Sequence, residues 1–201
     1  MNKGLIVVIS GPSGAGKTTV ARAVQASLDG LFFSVSHTTR PPRGKEVEGR
    51  DYYFISQKKF REMIERGEFV EWAEVFGHLY GTSKKELEEK LRMGDVLLDI
   101  DVQGALSIKR LYPQSVRIIL FPPSLNALRE RMLKRGDTPP EQVEERLKKA
   151  IWELKHYPHF THIVKNEDLE RTIRAVQSII IGERHRRDRM EDEARRIIWE
   201  K

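Results

Sequence analysis

Nine residues near the N-terminus, Gly11 to Thr19 (GPSGAGKTT), constrain this chain more than any other stretch. They match the phosphate-loop pattern G-x-x-x-x-G-K-[ST], follow the apolar run GLIVVIS and open a segment with helical periodicity. A strand apolar on both faces, turned by glycines directly into a helix, belongs in a parallel sheet covered by helices on both sides. In that setting the loop Gly11, Pro12, Ser13, Gly14, Ala15, Gly16, Lys17, Thr18 and Thr19 binds ATP phosphates: its backbone N–H groups, which Pro12 alone lacks, curl around phosphate oxygens, and the helix N-terminus adds partial positive charge. Lys17 is placed to reach the β- and γ-phosphates of a nucleoside triphosphate, and the Thr18 hydroxyl to hold Mg²⁺.

Beyond the loop, strand-like and helix-like segments alternate. A helix is expected from Lys17 to about Leu28, with an apolar stripe of Val20, Ala23, Val24 and Ala26 to Leu28. LFFSVS, DVLLDID, VRIILF and THIVKN read as further strands, GALSIKRLY as a helix, and the segment from about Glu167 to the C-terminus as one long helix. Two stretches break this rhythm. Residues 36–94 carry short strands (DYYFIS, EFVEWAEV, HLYGTS) and two helices, one opening with the capping box Ser83–Glu86. Residues 126–151 read as a helical hairpin: Gly136 ends one helix, and the next has Thr138 as N-cap, Pro139 first and Glu141 third. The fold class expected is α/β, a three-layer P-loop sandwich with a parallel central sheet. A core of 1–35, 95–125 and 152–201 would carry an inserted lobe (36–94) and a helical lid (126–151).

Composition narrows the class of partner. With 201 residues, 39% of them apolar, the chain is long enough to bury a core, and no apolar run approaches the length of a membrane span. MNKGLIVVIS reads as a buried strand, not a signal peptide, and the absence of cysteine excludes disulfides and thiolate metal sites; a cytoplasmic location is expected. The net charge of +6 suits an anionic ligand, but Arg and Lys are interleaved with Glu as on solvated helix faces, so nucleic acid is not the expected partner. His156, His159 and His162 lie three apart on a Pro-broken segment and read as structural, without zinc.

A second anion site is written in SVSHTTRPPR. Arg40 and Arg43, three apart on a proline-stiffened turn, can converge on one phosphate, for which the planar guanidinium is the better fork. Tyr52 can add a phenolic donor. The bland alternative is an exposed, solvated loop. Asp99 and Asp101 close the apolar strand VLLDID, where a carboxylate on the metal side of a phosphate loop would stand; a plain strand-end acid is the alternative for Asp99. Arg131, Arg135 and Arg146 sit on the hairpin, which can hinge over a site. A GTPase would carry N-K-x-D for its base, and the chain has none.

Taken in order, SGPSGAGK, SVSHTTRPPRGKEVEGRDYYF, EFVEWAEVFGHLYGTS, LLDIDVQGA and RERMLKRG…EERL resemble the guanylate kinases, nearly end to end. The resemblance implies a nucleoside-monophosphate-binding lobe, Mg²⁺ with ATP as donor, and GMP or dGMP as acceptor. It implies that Arg40, Arg43, Tyr52 and Tyr80 grip the GMP phosphate. Glu71 and Asp101 would then accept from the guanine N1–H and N2–H₂ edge, and Ser36 and Thr82 would meet O6 and N7. It also makes Lys17, Arg40, Arg43, Arg131, Arg135 and Arg146 the catalytic cations. By pattern alone Glu71, between Val70 and Trp72, is an outward strand residue, Tyr80 a packing aromatic, and Ser36 and Thr82 turn or cap residues. His37 stands where the family suggests a small polar residue and reads as a surface histidine. Two other readings stay open: a P-loop kinase of another phosphorylated small molecule such as a ribose bisphosphate, and a non-catalytic guanylate-kinase-like binding module.

Overall fold

The computed structural model describes residues 4–135 and 140–199. In chain order its elements are β1 (Ile6–Ser10), α1 (Lys17–Ser27), β2 (Leu31–Phe33), β3 (His37–Thr38), β4 (Tyr53–Phe54), α2 (Gln57–Glu65), β5 (Phe69–Val75), β6 (His78–Ser83), α3 (Lys84–Met93), β7 (Asp95–Asp99), α4 (Val102–Leu111), β8 (Val116–Phe121), α5 (Leu125–Arg135), α6 (Val143–Lys155), β9 (His162–Lys165), α7 (Leu169–Arg184) and α8 (Arg187–Trp199). Short 3-10 turns at Pro140–Gln142 and Tyr157–His159 flank α6.

Five strands form a wholly parallel sheet in the order β2-β7-β1-β8-β9. Side-chain alternation along β1 explains the three layers. Val7 and Ile9 pack with Val20 and Val24 of α1 and Val176 and Ile180 of α7, while Ile6 and Val8 pack with Leu87 of α3 and Ala105 and Ile108 of α4. Helices on both faces leave β1 buried throughout, which is why it reads as an unbroken apolar run. The chain reverses direction across the sheet between β7 and β8 on either side of β1, so the crevice for a ligand opens at the carboxyl ends of these strands.

The two interruptions have hydrophobic clusters of their own. A four-stranded sheet, β4-β3-β6-β5, packs Phe69 and Leu79 against Phe60 and Met63 of α2, and α5 packs Leu128 and Met132 on Ala150 of α6. Among the described residues no helix is long and apolar enough to cross a membrane.

Several expectations need correction. The stripe of α1 is Val20, Ala21 and Val24; Ala26 is exposed, because the face toward the sheet follows the 3.6-residue period and leaves that position outside. LFFSVS stops being a strand at Phe33. The C-terminal helix is two helices: α7 ends at Arg184, its capping residue His185 turns its N–H back to the Gly182 carbonyl in a tightened last turn, and α8 restarts at Arg187. Gly182 is the weakest helix former in that turn. The capping box at Ser83 is half made. Ser83 Oγ accepts from the Glu86 N–H (3.4 Å), but the Glu86 carboxylate accepts from the Val35 N–H (3.1 Å) and pairs with Lys90. The second hairpin helix begins at Val143 after a 3-10 turn, and the expected Gly136, Thr138 and Pro139 signals lie outside the described residues.

Candidate functional site

The phosphate loop takes its shape from β1 and α1. Gly16 has φ +89°, and a Cβ there would stand 2.4 Å from Asn166 Nδ2, so the loop and the residue after β9 fit only around a glycine. Asn166 Nδ2 donates to the Ala15 carbonyl (2.7 Å), fixing the loop from the sheet side. Lys17 Nζ donates to the carbonyls of Gly11 (2.8 Å) and Pro12 (3.2 Å), folded across the loop mouth. Thr18 Oγ1 donates to Asp99 Oδ2 (2.6 Å), so the two expected Mg²⁺ residues do meet, from α1 and the end of β7. Burial pushes the Asp99 carboxyl above its ordinary range, against the pull of Lys17 and the Thr18 hydroxyl.

One cleft of about 790 Å³ runs from this loop into the inserted lobe. Gly11, Ser13, Gly14, Gly16, Lys17, Thr18 and Thr19 line one end, whereas Pro12 and Ala15 are buried in the body of the loop. Ser36, Arg40, Arg43, Tyr52 and Tyr80 line the other. Arg40 is buried, not a solvated loop residue. Its guanidinium forks onto Glu46 through two 2.9 Å bonds and also donates to the Pro41 carbonyl (2.8 Å), with the Tyr52 ring 5.2 Å away. Glu46, which sequence reasoning passed over, also accepts from the Arg43 N–H (2.7 Å) and so holds both arginine positions in one turn. Burial opposes ionisation of Glu46, yet the Arg40 bonds hold its carboxyl below the usual range.

The floor between the two ends is acidic. Glu71 is buried, contrary to its outward place in a simple alternation, while Trp72 is the exposed neighbour. A register shift between Phe69 and Glu71 on β5 explains this: the bulge lets Val70 and Glu71 both turn inward. Burial raises the Glu71 carboxyl to about 7; the Thr82 hydroxyl bonded to it opposes the rise and the charge on Asp101 adds to it. Thr82 itself is buried behind Glu71 and does not line the cleft. Asp101 caps α4 by accepting from the Gly104 N–H (2.9 Å) and lines the cleft with its remaining oxygen bonded by Gln103 (3.1 Å). Gly104 is a second residue the sequence did not flag: a Cβ there would stand 2.6 Å from Glu71 Oε2.

The helical hairpin closes the third side. Arg131 lines the cleft and donates to the Asn166 carbonyl (3.2 Å); Arg146 lines it from α6. Arg135 ends α5, and its side chain lies outside the described part of the structure. Glu153 and Arg22 join the cleft unannounced by any motif. Burial raises Glu153 to about 7 despite the charges of Lys17 and Lys149. Arg22 reaches from α1 to the Arg50 carbonyl and lies over the Phe33 ring (3.7 Å). His37 is neither a surface residue nor in the cleft: it packs on Tyr53 (4.8 Å) and Phe69 (5.7 Å), where burial lowers its pKa. The His156 ring packs tilted against Trp152 (4.3 Å between centroids), with His159 6.0 Å away.

Comparison with known proteins identifies the family. The family model described as guanylate kinase matches residues 3–183. A guanylate kinase of Thermotoga maritima is 49% identical across 98% of this chain and 96% of its own length. One of Caldanaerobacter subterraneus is 44% identical across 94% and 93%. The crystal structure of guanylate kinase from Anaplasma phagocytophilum superposes with a TM-score of 0.81 at 34% identity, over 97% of this chain and 95% of that one. The chain belongs to the guanylate kinase family.

Proposed function

We propose that this chain transfers the γ-phosphoryl group of ATP to GMP or dGMP, giving ADP and GDP or dGDP. The observation that carries the reading is the single cleft in which Lys17 and Arg40 line opposite ends and the buried Glu71 lies between them. The phosphate loop takes the donor's phosphates; Arg40, Arg43, Tyr52 and Tyr80 take the acceptor's. Glu71 and Asp101 accept from guanine N1–H and N2–H₂, Thr82 fixes the Glu71 carboxylate, and Ser36 meets the base from the lobe. Adenine has an acceptor at N1 and no 2-amino group, so it would leave buried Glu71 unpaired, a mismatch worth about 10⁴ in selectivity.

A phosphate oxygen of GMP is already an anionic nucleophile and needs no general base. It attacks the γ-phosphorus in line as the bond to the β-phosphate oxygen breaks, so the protein's task is positioning and charge neutralisation. Lys17 swings from the Gly11 and Pro12 carbonyls to the transferring group. Arg131, Arg135 and Arg146 cover the phosphates and exclude water. Thr18 and Asp99, a hydroxyl and a carboxylate, are the hard oxygen donors that suit Mg²⁺, which when bound neutralises charge on the β- and γ-oxygens. Residues 1–35, 95–125 and 152–201 act as the fixed core, with 36–94 as the acceptor lobe and 126–151 as the lid.

A ribose-bisphosphate kinase would leave Glu71 facing a ligand without amide donors, and a binding module would leave the Thr18–Asp99 pair and Lys17 idle. The test is ADP release from Mg·ATP with GMP, dGMP, AMP, CMP and UMP offered separately. Turnover confined to the two guanine nucleotides is expected; turnover with AMP or with none would overturn the reading.

A further inference from the structure

The turn between β5 and β6 breaks a local rule. Val75 pairs with His78, leaving a two-residue loop of Phe76 and Gly77, with φ +50° and +76°. Positive φ at both positions is the type I′ hairpin, whose first place is filled by Asn, Asp or Gly because other side chains are strained there. Phe76 is the one non-glycine residue with positive φ among those described. Burial does not explain it, since Phe76 is 46% exposed. Two cations of the lid face its ring. Arg146 Cζ stands 4.7 Å and Lys149 Nζ 4.3 Å from its centroid, both on α6. These are cation–π distances. Arg146 Nε is moreover buried without a hydrogen-bond partner, and the Phe76 ring faces that guanidinium. Phe76 and Arg146 both line the cleft, the first from the acceptor lobe and the second from the lid.

A strained residue kept where a relaxed one would serve marks a functional constraint. We infer that Phe76 is a positioning residue that ties the acceptor lobe to the lid, its ring setting where Arg146 stands over the cleft. The inference builds on the phosphotransfer reading above. Through this contact the placement of a lid arginine depends on the lobe that receives GMP, so the donor phosphates are covered in step with the acceptor's arrival.

Phe76→Asn keeps the turn relaxed and removes the ring, whereas Phe76→Trp keeps an aromatic face. The chain has no cysteine, so Lys58→Cys on α2 and Glu145→Cys on α6 give two clean sites for spin labels. In the nucleotide-free protein, Phe76→Asn should broaden the label-to-label distance distribution and Phe76→Trp should keep it narrow. In steady state, Phe76→Asn should lower kcat about 3- to 10-fold, the scale of a lost cation–π contact, with KM for GMP changed less than about twofold. It should also raise the ATP hydrolysed per GDP formed, and Phe76→Trp should restore both. An Asn variant with an unchanged distance distribution, or with wild-type kcat and coupling, overturns the inference. Should the unaltered protein fail to phosphorylate GMP, the functional reading falls, and the distance measurement still decides whether Phe76 ties lobe to lid.

Discussion

Lys17 rests against the carbonyls of Gly11 and Pro12, so its ammonium is held at the loop mouth before any phosphate arrives. Removing it leaves the strand, the glycines and α1 intact but takes away the mobile charge of the donor site. Lys17→Ala should keep its circular dichroism and thermal midpoint while kcat falls at least about 10²-fold; near-normal turnover would remove Lys17 from the mechanism. Glu71 gives a prediction in pH. Its carboxyl titrates at about 7, raised by burial. Below that pH it carries a proton and faces the guanine donors with a donor of its own. KM for GMP should therefore rise as pH falls through 7, approaching about tenfold per unit, and level off above it. In Glu71→Gln that dependence should vanish, leaving only the titration of the GMP phosphate; an unchanged profile would mean another group is responsible. Stability runs with the opposite sign. The folded chain holds this proton more tightly than the unfolded one, so the empty protein loses stability as pH rises through the interval from the ordinary carboxylate value to 7.

Among the elements, what could be read in advance was whatever depends on neighbours in the chain. The unbroken apolar runs of β1, β7 and β8 announce a doubly covered sheet, and the phosphate loop announces itself, because both are local patterns. Glu71 and Gly104 show where local pattern stops. A bulge moves the Glu71 side chain to the inside, and no count of alternating residues reveals a bulge; only the resemblance singled out Glu71. Gly104 looks like a poor helix residue in α4, and its purpose is space for an oxygen from another element. Glu46 was equally hidden, since its partner Arg40 is paired through a turn rather than a periodic face. Gly104→Ala separates propensity from site. Taken as a helix substitution it should stabilise α4 by about 0.5–1 kcal/mol. Taken as a site substitution it pushes the flexible Glu71 carboxylate aside. We expect an unchanged or raised thermal midpoint together with a KM for GMP raised at least about tenfold, read by calorimetry and steady-state assays on the same sample. Unaltered GMP affinity would mean that Glu71 moves freely or does not read the base.

At the scale of the molecule, separate hydrophobic clusters build the walls of the cleft. Phe60, Met63, Phe69 and Leu79 form one cluster inside the lobe, and Leu128, Met132 and Ala150 one inside the helical hairpin, while Val70 of β5 and Leu87 of α3 also pack in the cluster that covers the central sheet. Contacts between these parts include Val35 N–H to the Glu86 carboxylate, Lys90 to the Phe33 carbonyl, Arg22 to the Arg50 carbonyl, Arg131 to the Asn166 carbonyl, and Phe76 to Arg146 and Lys149. A cleft of about 790 Å³ left open around ATP would admit water to the γ-phosphate, so nucleotides are expected to narrow it on binding. The linkage is measurable. GMP or a non-hydrolysable ATP analogue, each at about 100-fold its Kd, should stabilise the chain by about 2.7 kcal/mol and raise the thermal midpoint by roughly 5–10 °C. If lobe and lid close together, the second ligand meets a cleft already partly ordered by the first. The two together should then stabilise by more than the sum, and the radius of gyration from solution scattering should shrink further than with either alone. Additive shifts with an unchanged radius would mean that the two ends of the cleft fill independently, and that the water-exclusion step lies elsewhere.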